Sequence, residues 1–352
     1  MKLKLSRIIL AAAFLGIVLA LSACGGGNNK TLNLFNYGDY LDDKLVEAFE
    51  KETGIKVKQD TFDTNEDMYE KVAGGAVYDL IIAGDYTIEK MIKNDLLQPI
   101  SYNNIPNNKN LDKEYMAKLA GADPGNKYAI PYTWGTVGIL YNTKVIEEGS
   151  ITSWKDLWNP DYQKDGILMM NSVRDTFMVA EMLLDIDMNT TKEEDLKKVV
   201  ELLMEQKPLV QAWKNDEARD DLIEENAAIG MIYSGEYLYC TGENEDLAFC
   251  IPEEGTNVWF DCFVIPKNSK NVSAAEQFID FMLRPESGVA TFDHLGYPIP
   301  NTAAIALLDK EYLEDENVFP PQEVLDKCDV FHYLGAEADE LLNNYWKQYR
   351  GN

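Results

Sequence analysis

Residues 78–86 read YDLIIAGDY and contain the clearest indication of the fold class. Residues 78–83 form an apolar run broken only by Asp79, as expected of a strand buried on both faces of a parallel sheet. A glycine and an acid follow, and Ile88 and Met91 are then spaced to lie on the inner face of a helix. This stretch therefore predicts one strand–helix unit of an α/β protein.

The same order of strand and helix recurs along the rest of the chain. Residues 41–53 predict a helix that ends at Gly54, and Ser273 is the predicted cap of a later helix. Short apolar or alternating segments predict the other strands, at residues 31–35, 55–57, 167–170, 228–233 and 258–265. The alternation predicts α/β lobes with mostly parallel sheets flanked by helices.

The N-terminus is not predicted to be part of the fold. A basic segment at residues 2–7 precedes an uncharged apolar run at residues 8–21, which has the length and flanks of a secretory signal. The run leads into LSAC at residues 21–24, which resembles a bacterial lipobox. We predict a signal peptide at residues 1–23 and a lipidated Cys24 at the start of a flexible tether, residues 24–30. The alternative is a plain secretory signal with an incidental cysteine.

Length and charge narrow the classes of function. Of the 352 residues, about 320 would remain after such a signal and tether, which is above the size where one core stops growing, so two lobes are expected. The chain has 32 basic and 60 acidic residues, a net charge of −28. Nucleic-acid binding is therefore not expected, because so acidic a chain repels phosphate backbones, and cations are favoured near its surface.

Four cysteines lie beyond Cys24, and their pairing stays open. Cys240, Cys250, Cys262 and Cys328 match no zinc-binding spacing, and three complete disulfide pairings or free thiols are all compatible with the sequence. Neither a metal site nor a cofactor is predicted.

Polar and aromatic residues follow the carboxyl ends of four predicted strands. In open α/β sheets, ligands bind outside the carboxyl ends of the strands, so these side chains are candidates for one shared site. They are Tyr37, Asp39 and Tyr40; Asp85 and Tyr86; Asp175; and Ser234, Gly235 and Glu236.

These residue types suit an organic cation. A polyamine is a flexible apolar chain with ammonium groups, and its cationic ends bind aromatic faces and carboxylates. In Trp259-Phe260-Asp261 an acid lies between apolar residues of a predicted strand, and an unpaired buried acid is costly. Asp261 is therefore predicted to meet a charge, from ligand or protein.

Short motifs in a fixed order then connect the chain to a family. They are FNYGDY at residues 35–40, TGIKV at 53–57, NEDMY at 65–69, YDL at 78–80, IPYTWG at 130–135, TSWKDLW at 152–158 and GYPIPN at 296–301. With these motifs, the chain from Thr31 onward resembles the periplasmic spermidine/putrescine-binding proteins of polyamine ABC importers.

The resemblance implies a set of ligand contacts. The family's aromatic box falls on Tyr37, Tyr40, Tyr86, Tyr233, Trp259 and Tyr297, and its ammonium-binding acids fall on Asp175 and Asp261. Asp39 and Glu236 fall where putrescine-preferring relatives also have acids. Asp85 is an additional acid that could take a terminal amine. Tyr37 and Tyr233 stand where Trp is usual, and Ser172 replaces an acid, so the length and charge of the ligand stay open.

The resemblance also implies an architecture and partners. We expect a periplasmic-binding-protein-like fold with the ligand in a cleft between two lobes, one of residues 31–136 and 264–309, the other of residues 137–263 and 310–352. The expected partners are the permease and ATPase of an importer. The expected location is the outer face of the cell membrane, where a monomer is held through Cys24.

Three other classes of function remain as alternatives. A protein of the same architecture could bind a sugar, thiamine or a metal such as ferric iron. A hydrolase could use paired carboxylates, although the sequence contains no nucleophile motif, phosphate loop or metal-ligand set, and we predict no enzyme activity. The third alternative is a purely structural surface lipoprotein.

Overall fold

The computed structural model describes residues 31–351, so the predicted signal peptide, Cys24 and the whole of the predicted tether lie outside the described residues. Within that range nine strands alternate with fourteen α-helices. The strands are β1 (Thr31–Tyr37), β2 (Lys56–Phe62), β3 (Leu80–Gly84), β4 (Ala129–Asn142), β5 (Ile167–Met170), β6 (Ala212–Lys214), β7 (Ile229–Tyr233), β8 (Leu247–Cys250) and β9 (Val258–Val264).

The helices lie between and after these strands, and short 3₁₀ turns connect several of them. They are α1 (Asp43–Thr53), α2 (Asn65–Ala73), α3 (Asp85–Lys93), α4 (Lys113–Leu119), α5 (Val173–Leu183), α6 (Glu193–Gln206), α7 (Glu217–Ile223), α8 (Glu236–Glu243), α9 (Val272–Met282), α10 (Pro285–Leu295), α11 (Thr302–Ile305), α12 (Lys310–Leu313), α13 (Gln322–Leu325) and α14 (Ala336–Arg350).

The strands form one mixed sheet whose two halves share β4. The order is β2-β1-β3-β9-β4-β7-β5-β6, and β8 also pairs with β4. The first part of β4, up to Thr136, pairs with β9, and from Val137 onward β4 pairs with β7 and β8. Within each half the outer pairs are parallel, whereas β9 and β4 run antiparallel to their neighbours. The predicted α/β class with mixed sheets is confirmed.

Strand β3, which the apolar run at residues 78–83 predicted, is buried on both faces. Leu80 and Ile82 belong to one apolar cluster of the first half, and Ile81 and Ala83 belong to the cluster on the opposite face. Successive side chains of a strand point to opposite faces, so a strand covered on both sides must be apolar throughout. This is why the run is continuous after Asp79.

Two helix boundaries illustrate the local signals. Helix α1 begins after Asp42, whose carboxylate accepts a hydrogen bond from the Lys44 N–H, and ends at Gly54 with φ 72°, as predicted. The prediction that Ser273 caps α9 is wrong, because the helix already begins at Val272. The carboxylate of Asp79 accepts hydrogen bonds from the backbone N–H groups of Lys270 and Asn271, directly before α9, and so fixes where this helix begins.

The rest of the chain covers the sheet. Helix α14 packs against α5 and α6 through an apolar cluster that includes Phe177, Leu203 and Tyr349. The four cysteines within residues 31–351 are free thiols. No helix in this range combines the length and apolar character needed to cross a membrane.

Candidate ligand-binding site

The candidate residues come from the carboxyl ends of strands and from one crossing strand. Tyr37 is the last residue of β1, Tyr233 is the last residue of β7, and Asp175 lies in the first turn of the helix after β5. Trp259 and Asp261 lie on β9, which runs between the two halves of the sheet, beside β3 and β4. The two halves of the molecule therefore both supply side chains to this place.

Five aromatic rings make a continuous row, which we call the aromatic row. The ring centroids are 5.3 Å apart for Tyr37 and Tyr40, 6.0 Å for Tyr40 and Tyr297, 5.2 Å for Tyr297 and Trp259, and 5.9 Å for Trp259 and Tyr233. All four contacts are edge-to-face, with interplanar angles of 65–83°. Edge-to-face pairs are a favoured arrangement of aromatic rings.

Two glycines allow the row to form. A Cβ atom on Gly135 would lie 2.5 Å from the ring of Trp259, and one on Gly235 would lie 2.1 Å from the ring of Tyr297. Any side chain at either position would displace a ring of the row. Gly235 was predicted to lie at the site and Gly135 was quoted only within a motif, and the close approach of a ring to either glycine was not predicted, although glycine often marks such an approach.

Asp261 is the acid at the Tyr37 end of the row. Its Oδ2 accepts a hydrogen bond from the Tyr40 hydroxyl at 2.7 Å, and its Oδ1 accepts a longer one from the Tyr37 hydroxyl at 3.4 Å. Tyr40 is also 2.6 Å from the hydroxyl of Thr133 on β4, a buried contact that the sequence analysis missed. Burial raises the pKa of Asp261 to about 6, against the lowering effect of the two tyrosine hydroxyls.

Asp175 is the acid at the Tyr233 end of the row, and only 5% of its surface is exposed. Its Oδ2 accepts hydrogen bonds from the hydroxyls of Ser172 at 2.5 Å and Tyr233 at 3.4 Å. Its Oδ1 is buried and has no hydrogen-bond partner within residues 31–351. Burial raises the pKa of Asp175 above its usual value, and that rise is opposed by the Ser172 hydroxyl, the nearby Arg174 guanidinium and the side chains of Tyr233 and Asn257. A buried carboxylate oxygen with a vacant acceptor position is suited to a cation or another donor.

Glu236 also reaches the row but already has a cationic partner. Its Oε1 accepts a hydrogen bond from the Tyr297 hydroxyl at 3.4 Å, and its Oε2 lies 3.0 Å from Nη1 of Arg219. Burial raises the pKa of Glu236, and the guanidinium opposes that rise. Nothing in the sequence marked Arg219, which precedes Glu236 by 17 residues and lies on a different helix.

Three other candidates stand outside the row. Asp85 is buried, and its two oxygens accept hydrogen bonds from the N–H groups of Tyr86 at 2.7 Å and Phe260 at 3.0 Å; burial raises its pKa to about 7. Asp39 is exposed in the turn after β1, with φ 50°. The Tyr86 hydroxyl donates to Glu66 at 3.0 Å, and its ring faces the guanidinium of Arg174 at 5.9 Å.

A small cavity adjoins the Tyr233 end of the row. Its lining includes Tyr233, Glu236, Arg219, Asn215 and Asp216. Over residues 31–351, no group of three or more His, Cys, Asp or Glu side chains is arranged to hold a metal ion. The rings and carboxylates of this cluster are suited to binding a positively charged organic group.

Sequence and structure comparisons identify the family. The profile of the bacterial extracellular solute-binding proteins matches residues 44–320. The spermidine/putrescine-binding periplasmic protein of Salmonella typhimurium is 34% identical over 98% of each chain. A Listeria monocytogenes protein assigned to a spermidine/putrescine ABC transporter superposes with a TM-score of 0.86 at 37% identity, covering 92% of this chain and 99% of its own.

A second solved structure agrees with the first. The substrate-binding protein of a spermidine/putrescine ABC transporter from Streptococcus pneumoniae gives a TM-score of 0.80 at 36% identity, over 91% of this chain and 98% of its own. The fold is therefore that of the two-lobed periplasmic binding proteins, as the sequence motifs predicted. The chain belongs to the bacterial extracellular solute-binding proteins.

Proposed function

We propose that this protein is the extracytoplasmic subunit of an ABC importer and captures a polyamine, spermidine or putrescine. The observation that carries the proposal is the placement of Asp261 and Asp175 at opposite ends of the aromatic row. Neither acid has a basic partner within 4 Å among residues 31–351. A ligand with an ammonium group at each end and methylenes between matches that spacing of charge and ring.

The energies are sufficient for tight binding. Contact between a cation and a ring contributes about 0.5–2 kcal/mol, and a hydrogen bond to a charged group contributes about 1.5–3 kcal/mol. Two carboxylates and several rings together can exceed the association cost of about 4–15 kcal/mol. The proposed contacts are the rings of Tyr37, Tyr40, Tyr86, Tyr233, Trp259 and Tyr297 and the carboxylates of Asp175 and Asp261. Asp39, Asp85 and Glu236 remain candidates that contribute less to the binding free energy.

The names of the relatives support the same ligand class. The curated relatives include spermidine/putrescine-binding proteins of several bacteria and a putrescine-binding periplasmic protein of Pseudomonas aeruginosa that is 30% identical over 97% of each chain. A sugar needs fewer opposed carboxylates, and a family of solute-binding proteins argues against a hydrolase. We therefore propose a binding protein without enzyme activity.

The proposal includes a mode of action. The lobes are residues 31–136 with 264–309, and 137–263 with 310–352, and a ligand that touches both favours the closed form, which a membrane permease with its ATPase then recognises. The protein acts as a monomer, anchored by a lipid on Cys24 after removal of residues 1–23. Replacement of Cys24 by Ala should release the protein from the membrane fraction, which cell fractionation can measure.

A ligand panel tests the proposal. Purified protein lacking residues 1–24 is heated with putrescine, spermidine, thiamine or glucose, and the midpoint of unfolding is measured. A ligand present at 1,000 times its dissociation constant adds about 4 kcal/mol to the free energy of unfolding, so one or both polyamines should raise the midpoint clearly. A rise with thiamine or glucose alone, or with none of the four compounds, would contradict the polyamine assignment.

A further inference from the structure

Three carboxylates meet the hydroxyl ends of the aromatic row. Asp261 accepts from Tyr40 at 2.7 Å, Asp175 accepts from Tyr233 at 3.4 Å, and Glu236 accepts from Tyr297 at 3.4 Å. In that respect the three acids are equivalent, and each could receive an ammonium group that lies along the rings.

They differ in their basic partners. Among the residues that the structure describes, an ion pair within 4 Å reaches Glu236 but neither Asp175 nor Asp261. That pair joins Glu236 Oε2 to Arg219 Nη1 at 3.0 Å, and the Glu236 side chain is only 16% exposed. A partly buried pair of this kind is screened by water less than a surface pair, so the guanidinium neutralises most of the charge that Glu236 presents to the row.

Arg219 is held in place from several sides. Its Nε lies 3.4 Å from Asp220 Oδ1, and its guanidinium lies 5.1 Å from the ring centroid of Tyr239. It also lines the small cavity beside Tyr233, and one-third of its side chain is exposed. A permanent cation therefore stands next to the third carboxylate, which accepts a hydrogen bond from Tyr297, the middle ring of the row.

We propose that Arg219 determines how many ammonium groups of a ligand find a carboxylate partner in the site. By pairing with Glu236 it leaves Asp175 and Asp261 as the two acids bonded to the row without an ion pair in the described part of the chain, so a diamine finds a partner for each charge, whereas the third ammonium group of a triamine cannot use Glu236. The inference rests on the proposed polyamine function. It names Arg219 as a specificity-determining residue that acts through Glu236.

A purely structural role makes a different prediction. Arg219 lies on α7 and Glu236 on α8, so their ion pair also ties two helices together. If that were its whole role, removing it would lower the free energy of unfolding and leave the ratio of triamine to diamine affinity unchanged. The ratio is therefore the diagnostic quantity, and it is independent of the fraction of folded protein.

The experiment measures dissociation constants of spermidine, a triamine, and putrescine, a diamine, by titration calorimetry. Arg219→Met removes the cation and frees Glu236, so the triamine-to-diamine affinity ratio should rise about fivefold or more. Glu236→Gln removes the carboxylate partner of the guanidinium that faces the row, so the ratio should fall by about the same factor because the cation repels the third ammonium group. Arg219→Lys, which keeps the charge, should retain the wild-type ratio.

The double variant Arg219→Met with Glu236→Gln provides the matched control. It removes both charges, and its ratio should return to within about twofold of wild type, as expected for two residues that act as a pair. Should Arg219→Met fail to fold, the opposite shift in Glu236→Gln tests the same inference.

Two results would overturn it, and they are distinguishable. A wild type that binds polyamines, with an unchanged ratio in both single variants, removes the role of Arg219 and leaves the proposed function intact. A wild type that binds neither amine removes both the proposed function and this inference.

Discussion

Strands β3 and β9 lie side by side and antiparallel. An aspartate lies at each end of this pair of strands, and the two aspartates differ in how fully they are hydrogen-bonded. At one end Asp79 precedes β3 and meets the segment that follows β9. At the other end Asp261 on β9 lies opposite Gly84, the last residue of β3. Only a few residues of strand separate the two acids; Asp79 is fully buried, and Asp261 is half-buried.

The difference lies in what surrounds each carboxylate. Asp79 accepts six hydrogen bonds, from the backbone and side chains of Asn33 and Asn271, the N–H of Lys270 and the hydroxyl of Ser269. Burial alone would raise the pKa of Asp79, but these donors lower it below its usual value. Asp261 has two tyrosine hydroxyls and a pKa raised to about 6. The fold satisfies the first acid and leaves the second short of partners.

The largest expected effect is on the free energy of unfolding and concerns Asp79. Asp79→Ala removes the acceptor of six hydrogen bonds, so the free energy of unfolding should fall by about 3 kcal/mol, measured by urea denaturation at pH 7. The depressed pKa means that this contribution is present above the unfolded-state pKa and lost as pH falls through the folded-state value. The polyamine affinity of the folded protein should not change. A tenfold weaker affinity would contradict the assignment of a purely structural role to Asp79.

The next effect concerns binding at the second end. Asp261→Asn keeps the shape but removes the charge, so polyamine affinity should fall by about ten- to a hundredfold, or roughly 1.4–2.8 kcal/mol. Because the folded-state pKa of Asp261 is raised, ionising it costs stability as pH rises through about 6, and the variant should be at least as stable as wild type at pH 8. Calorimetry and denaturation measure the two quantities.

A charge control accompanies that variant. Asp309→Asn removes the same charge from an exposed position outside the aromatic row, and its affinity should match wild type. Equal losses in both variants would mean that overall negative charge, and not the carboxylate at the end of the row, attracts the ligand.

A smaller effect is expected from the ring between the two acidic ends. Trp259→Ala removes one cation–π surface and the contacts to Tyr297 and Tyr233, and affinity should fall about tenfold. Trp259→Phe keeps a ring and should lose less. If calorimetry finds wild-type affinity in Trp259→Ala, the row is packing and not a binding surface.

The smallest effect is a dependence on pH. Below the pKa of Asp261, about 6, a cationic ligand must displace a proton from the carboxylate. Affinity should therefore fall about twofold between pH 7.5 and pH 6 and more steeply below, because aliphatic amines keep their charge throughout this range. Burial raises the pKa of Asp175 as well, which acts in the same direction. Affinity that stays constant down to pH 5 would show that neither acid contacts the ligand.

The site could be predicted from the sequence to a useful extent, and the reason is local. Strands and their ends are encoded in short apolar runs, so Tyr37, Tyr233 and Asp175 were recognisable as strand-end residues. The observed strand at residues 167–170 matches the prediction, and those at 229–233 and 258–264 differ from it by one residue at one end. Boundaries shifted where a distant side chain intervened, as at Asp79 and α9.

The sequence by itself determined the α/β class, six of the nine strands within residues 31–351 and the residue types at their ends, because those depend on neighbours within a few positions; the buried strand β4 was not predicted. The tertiary structure alone decided which acids are available. Asp79 is satisfied by Asn271, 192 residues away, and Asp85 by Phe260, 175 residues away. Hydrogen-bond and ion-pair partners are the groups that the fold brings within about 3 Å of each other. The local sequence does not predict which residues far apart in the chain will come that close.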